Sequence, residues 1–324
     1  MRAQITRKKI MSLAFIFPGQ GSQNVGMGAE LAAAFPAAKD VFDAVDDALG
    51  QKLFALMTEG AIEDLTLTEN AQPALMACSV AAMQALKAEF GIDITAAKYA
   101  AGHSLGEYSA LCAAGVIGLQ DTAKLLKLRG QAMQDAVAPG IGAMAALLGA
   151  SPEDAQAAAA AGRKIGVCQV ANDNAVGQIV ISGEKAAVEA AAQAATDMGV
   201  KRAMMLPVSA PFHCDLMAPA AQVMKDALAS VTFNAPAVPI VNNVTAQPVT
   251  DPVQLKADLV TQVTGQVRWR ESVQFMAAQG VTDLAEPGTG KVLTTMLKRI
   301  TDDLTGHRLD TPEALEAFAA HLKG

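Results

Sequence analysis

The sequence predicts an α/β protein: a parallel sheet with helices on both faces, interrupted by a small inserted unit. Three observations predict it. Short apolar, strand-like runs alternate with alanine-rich segments of helical spacing. A glycine-flanked serine, Gly102-His103-Ser104-Leu105-Gly106, stands where one such run meets one such helix. From residue 143 the order changes to strand, helix, two strands, helix, strand, and the simple alternation then resumes.

In chain order, residues 12–17 (SLAFIF) read as a buried strand, ended by Pro18-Gly19-Gln20-Gly21-Ser22-Gln23. Residues 31–49 read as helix broken near Pro36. After a turn at Asn70, residues 72–90 form a long helix with Leu75, Met76, Met83 and Leu86 on one face. Its front end is set at Gln72-Pro73, because proline is tolerated in a first turn. Residues 96–101 are a strand end, 107–114 a helix, and 120–137 a helix closed by Pro139-Gly140. In the insert, strands are expected at 144–148, 165–170, 178–182 and 202–208, and helices at 152–161 (capped by Ser151) and 185–198. The two central strands join through Asn172-Asp173-Asn174 and Gly177, residues that favour turns. This βαββαβ order predicts a ferredoxin-like unit. Helices follow at 222–229, 252–263, 271–279 and 292–300, with strands at 239–241 and 282–284. The expected organisation is a large domain of residues 12–140 and 209–324, α/β-hydrolase-like by its strand–serine–helix turn, with a small subdomain at 141–208. Residues 1–11 are expected to be a disordered extension, with Met11 an equally natural start.

Composition narrows the function. At 52% hydrophobic and 18% charged residues, the chain is not intrinsically disordered. A net charge of −7 argues against nucleic acid as partner. No apolar run is long enough to span a bilayer, and the basic start lacks the apolar core of a secretory signal. The four cysteines form no C-x-x-C and are expected to be reduced, cytoplasmic core residues.

The chemistry centres on Ser104. Glycines on both sides of a strained serine let backbone pack against the turn, and the following helix directs its free N–H groups and positive end at the hydroxyl. A serine hydroxyl needs a base. Of the four histidines, His103 adjoins the serine but its side chain should point elsewhere, and His307 and His321 lie in a polar tail read as solvated. His213, in the loop Val208-Ser209-Ala210-Pro211-Phe212-His213-Cys214 after a strand, is the candidate base. The acids between Ser104 and His213 include Asp135, Asp154 and Asp173, and none stands at a convincing strand end. A neutral acceptor such as a backbone carbonyl is therefore the alternative partner for the histidine. Arg129, in an otherwise apolar helix, is either a helix-end surface arginine or a buried fork for a carboxylate. Gly19-Gln20-Gly21 and Gly288-Thr289-Gly290-Lys291 fail the dinucleotide and Walker patterns, and no metal-ligand spacing appears.

Taken together the motifs resemble the malonyl-CoA:acyl carrier protein transacylases of fatty acid synthesis. The matching pieces are Phe17-Pro18-Gly19-Gln20-Gly21-Ser22-Gln23, Gln72-Pro73-Ala74-Leu75, Gly102 to Tyr108, Leu128-Arg129-Gly130, Pro211-Phe212-His213, Val241-Asn242-Asn243-Val244, Val267-Arg268-Trp269 and Glu286-Pro287-Gly288, in the family's order. The resemblance implies Ser104 as acyl-bearing nucleophile and His213 as its base. It implies backbone N–H groups of Gln20 and Leu105 as oxyanion hole, Arg129 as partner of the malonyl carboxylate, and Gln72 lining the site. Gly265, where the family often has asparagine, would orient His213 through its carbonyl, and Phe212 resembles the malonyl-selecting members. The implied partners are malonyl-CoA and holo acyl carrier protein, with a monomeric chain and no cofactor or metal. A basic patch at the cleft mouth is expected from Lys124, Lys127, Arg202, Lys291, Lys298 and Arg299, since both partners are anionic. A serine thioesterase, a polyketide-type acyltransferase with another extender and a non-enzymatic carrier-protein scaffold remain the alternatives.

Overall fold

Strand β1 (Leu13–Phe17) is buried along its whole length and shows why an unbroken apolar run marks a parallel strand. Leu13, Phe15 and Phe17 enter one core, while Ala14 and Ile16 enter a second on the other face of the sheet. The computed structural model describes residues 12–323, so the expectation for residues 1–11 lies outside the described residues.

After β1 come α1 (Ala29–Ala34), α2 (Pro36–Leu49), α3 (Leu53–Glu59), α4 (Ile62–Thr66) and α5 (Thr68–Phe90), then β2 (Tyr99–Gly102), α6 (Leu105–Ala113) and α7 (Leu119–Asp135). The insert supplies β3 (Gly142–Leu148), α8 (Pro152–Gly162), β4 (Cys168–Ala175), β5 (Gln178–Glu184), α9 (Lys185–Asp197) and β6 (Arg202–Met205). The chain closes with α10 (Ala218–Ala229), β7 (Ile240–Val241), β8 (Pro248–Val249), α11 (Pro252–Thr264), α12 (Trp269–Ala278), β9 (Asp283–Pro287), α13 (Val292–Leu297), β10 (Thr305–Leu309) and α14 (Pro312–Lys323).

Two sheets result. A six-stranded sheet has the order β10-β9-β1-β2-β7-β8. Its first five strands are parallel, and β8 returns antiparallel to β7. Helices cover both faces, as the alternation predicts. The four-stranded sheet β4-β5-β3-β6 is antiparallel throughout and carries α8 and α9 on one face, over an alanine-rich core. Helix α8 opens on a capping box: the Ser151 hydroxyl accepts from the Asp154 N–H, and the Asp154 carboxylate accepts from the Ser151 N–H.

Four expectations are corrected. Helix α5 begins at Thr68, not Gln72, so Pro73 sits inside it. That turn packs tightly against α7: a Cβ on Gly130 would stand 2.5 Å from the Thr68 carbonyl oxygen. Strand β4 starts at Cys168, and Ile165 is 60% exposed. The polar run Asn172-Asp173-Asn174 is not a loop but belongs to β4, with register shifts on either side. These side chains look turn-like only because their partners lie elsewhere. Asp173 takes a bidentate pair from Arg270 of α12 (2.7 and 2.9 Å), and its N–H donates to the Val267 carbonyl. Finally, residues 305–323 are not a solvated tail. Strand β10 extends the parallel sheet, and Phe318 of α14 packs edge-on against Phe15. His307 is accordingly only 18% exposed.

Candidate active site

The turn from β2 into α6 is built around Ser104, whose backbone is left-handed (φ 52°, ψ −111°). The flanking glycines are dictated by close approach. A Cβ on Gly102 would lie 1.9 Å from the Gly106 carbonyl oxygen, and one on Gly106 would lie 2.2 Å from that of Phe17. Asn243, two residues beyond β7, pins the turn. Its Oδ1 accepts from the Ser104 N–H (2.7 Å), and its Nδ2 donates to the Gly102 carbonyl (2.6 Å). The parallel pairing of β2 with β7 brings the two segments side by side.

His213 reaches the serine across the sheet end, with Nε2 2.8 Å from Ser104 Oγ. It too has a left-handed backbone (φ 58°) and is 4% exposed. Its Nδ1 faces two backbone carbonyls, Gln262 at 2.9 Å and Gly265 at 3.1 Å. That geometry makes Nδ1 the protonated nitrogen, leaving the Nε2 lone pair for the serine hydroxyl. Burial, with Arg129 nearby as a second cause, pushes the imidazole down to about 3. His103 points away, and its Nε2 bonds Asn174 Oδ1 at 2.8 Å.

Arg129 of α7 is 1% exposed, which excludes the surface reading. Its guanidinium donates to Gln72 Oε1 (2.8 Å), Gln262 Oε1 (2.9 Å) and Ser104 Oγ (3.1 Å). All three acceptors are neutral, and among the described residues no carboxylate forms a salt bridge with it. The charge closest in the network is Glu107, beneath the serine. Burial raises that carboxyl to about 7, against the opposing hydrogen bonds from the Asn243 N–H and Gln262 Nε2.

Gln262 is the residue the motifs did not single out. Its side-chain amide donates to the Ser104 carbonyl and to Glu107, its Oε1 receives Arg129, and its backbone carbonyl receives His213. The signal lay in the pattern: Leu255, Leu259 and Gln262 fall on the buried stripe of α11, and a glutamine there must find polar partners.

Ser104, His213, Arg129 and Gln72 line a cavity of about 430 Å³ between the two sheets, which Gln20, Leu105 and Phe212 also line. The backbone N–H groups of Gln20 and Leu105 form no hydrogen bond among the described residues. Leu105 is the first residue of α6, where such a donor is free by construction. None of the six cations expected at the mouth lines this cavity. Lys291 and Lys298 face a separate open cavity of about 590 Å³ beside β10 and α14, and Lys127 bonds Asn70. The arrangement can therefore deprotonate a hydroxyl, stabilise an oxyanion at a helix start and receive a carboxylate.

Residues 14–300 match the family model of the acyl transferase domain. The chain is 47% identical over 304 residues to the malonyl CoA-acyl carrier protein transacylase of Escherichia coli strain K12, covering 94% of this chain and 97% of that one. The crystal structure of the acyl-carrier-protein-S-malonyltransferase from Bartonella henselae superposes with a TM-score of 0.94 at 51% identity, covering 97% and 100% of the two chains. A malonyl-transacylase solved in complex with its type II polyketide acyl-carrier protein gives 0.92 at 41%, covering 96% and 99%. The chain belongs to the malonyl CoA-acyl carrier protein transacylase family of acyl transferases.

Proposed function

We propose that this protein transfers the malonyl group from malonyl-CoA to the phosphopantetheine thiol of acyl carrier protein, through a malonyl ester on Ser104, in fatty acid synthesis. The observation that carries the reading is Arg129: a buried guanidinium with only neutral acceptors, 3.1 Å from the candidate nucleophile. A buried cation is costly without a counter-ion, and the free carboxylate of a malonyl group supplies one. The likeness to transacylases that carry the malonyl name supports the same substrate.

His213 Nε2 takes the Ser104 proton as Oγ attacks the thioester carbonyl. The backbone N–H groups of Gln20 and Leu105 hold the oxyanion, each worth about 3 kcal/mol in sites of this kind. The tetrahedral intermediate collapses, the sulfur of CoA leaves with the proton from His213, and the ester remains. The carrier's thiol then gives its proton to His213, attacks the ester carbonyl, and Ser104 recovers a proton as it departs. Gln262 and Gly265 orient the imidazole, Gln72 and Gln262 hold the guanidinium, and Phe212 narrows the acyl pocket. The 141–208 unit forms the far wall as a separate subdomain. The reading takes the protein as a cytoplasmic monomer, and the steps use only its own side chains and backbone.

A serine hydrolase is the less favoured reading, because His213 Nδ1 meets two carbonyls where a hydrolase triad places an acid. Intact-protein mass spectrometry after mixing with malonyl-CoA, acetyl-CoA and methylmalonyl-CoA in parallel tests the proposal. A lasting malonyl adduct, absent in Ser104→Ala and discharged by holo carrier protein, is expected. Rapid hydrolysis without an adduct would overturn it.

A further inference from the structure

Outside the cleft, the described residues bring together one group of three side chains suited to a metal: Asp283, His307 and His321, with ligand atoms all within 4.8 Å of one another. They come from three elements. Asp283 opens β9, His307 lies within β10, and His321 stands in the last turn of α14. Both imidazole Nε2 atoms converge on one oxygen, Asp283 Oδ1, at 2.8 Å and 3.2 Å. The rings lie 4.6 Å apart, centroid to centroid. The other carboxylate oxygen accepts from Thr282 Oγ1 at 2.6 Å, which fixes the carboxylate plane.

We propose that Asp283, His307 and His321 form a binding site for a divalent transition metal of the zinc class, clamping the C-terminal strand and helix to the sheet. Donors of a tetrahedral zinc site stand about 3.3 Å apart when bonds are about 2.0–2.1 Å. The two observed nitrogen–oxygen separations already sit close to that edge length. Two imidazoles and one carboxylate suit zinc, cobalt or nickel and not magnesium or calcium, which take oxygen ligands. Binding takes the Nε2 lone pair of each ring, with Nδ1 carrying the ring proton. The Thr282 hydroxyl plays the orienting part that supporting hydrogen bonds play in metal sites. Asp283 is 9% exposed, His307 18% and His321 46%, so the ion enters from the His321 side. Both histidines line the open cavity of about 590 Å³ that also carries Lys291, Lys298 and Arg308. Their charge favours a small anion over a bare solvent molecule as fourth ligand. The ligands are 24 and 38 residues apart in sequence, which is why no metal spacing is visible there.

The site is distinct from the transfer machinery, so it is tested separately. Untagged, chelator-treated protein is titrated with Co²⁺ and then Zn²⁺ at pH 7.5. A visible tetrahedral Co²⁺ spectrum saturating at one per chain, displaced by one Zn²⁺, is expected, with a rise of several degrees in Tm. His321→Asn and His307→Gln should each weaken binding at least about tenfold and remove the Tm response, while malonyl transfer persists in both. Because His321 is the most exposed, its variant keeps the test meaningful if His307→Gln is destabilised. Absence of the Co²⁺ band at millimolar metal, or equal affinity in wild type and the folded variants, overturns the proposal.

Discussion

Replacing Arg129 by methionine keeps most of the side chain's apolar stem and removes only the charged fork. In the free protein the guanidinium is buried and donates to Gln72, Gln262 and Ser104, with no carboxylate as partner. Its removal leaves two amide oxygens unmet, at about 1–3 kcal/mol each, and relieves a buried charge of comparable cost. Net stability should therefore change little. With malonyl bound, the balance differs. Truncating one partner of a buried, hydrogen-bonded charge pair costs about 3–5 kcal/mol. At about 1.4 kcal/mol per decade, malonyl transfer onto Ser104 should slow by about two to three and a half orders of magnitude. Acetyl-CoA carries no carboxylate, so its slower transfer should fall far less. Arg129→Lys, a point charge without the fork, should lie between. Rapid-quench acylation followed by intact mass gives both rates. An equal loss for malonyl and acetyl groups would refute the carboxylate role and leave Arg129 as a positioning group for Ser104.

The pH profile should show how far His213 is depressed. With the imidazole held near 3, kcat/KM should stay flat from pH 8 to about 5, whereas an acid limb near 6.5 would count against the buried, neutral base. Stability carries the same sign: the unfolded chain protonates this histidine near 6.5 and the folded one does not, so its contribution is lost progressively as pH falls below 6.5. Glu107 works the other way. Its folded pKa of about 7 lies above the ordinary 4.5, so stability is lost as pH rises from 4.5 through 7, and Glu107→Gln should gain up to about 3 kcal/mol over wild type at pH 8 relative to pH 4.5 in urea melts. Gly102→Ala drives a methyl into the Gly106 carbonyl and should cost more than about 3 kcal/mol, seen as a fall in Tm or loss of folded protein. Gln262→Ala should lower kcat and shift its pH profile, since it loosens Arg129 and the Ser104 turn together, while a change confined to Tm would assign it a purely structural role.

Much of this was legible in the chain. The LAFIF run, the alternation around it and the G-x-S-x-G turn follow from local rules, and the observed β1, β2 and α6 obey them. The meeting of Ser104 with His213 was reachable because a glycine-flanked serine and a loop histidine stand in telling places. What escaped was set by partners distant in sequence. Asn172-Asp173-Asn174 reads as a turn until Arg270 and the Val267 backbone are placed beside it. The start of α5 is hidden by Pro73, which reads as a first-turn residue but sits inside the helix. Strand β10 has too many polar residues to announce itself, because it is an edge strand whose histidine answers an aspartate on its neighbour. None of the six expected cations is among the residues that line the cleft, because a count of lysines says nothing of which cavity they face.

The pair of carbonyls behind His213 has one more effect. Burial and the neighbouring Arg129 charge hold the imidazole down, and the two carbonyls, which pull it up, are uncharged dipoles that offset this less than a carboxylate would. Proton transfer to such a base is uphill from either acceptor, but far less so from a thiol with a pKa near 8.5 than from water at about 15.7. On the proposed mechanism that difference favours transfer to the carrier's sulfur over loss of the Ser104 ester to solvent.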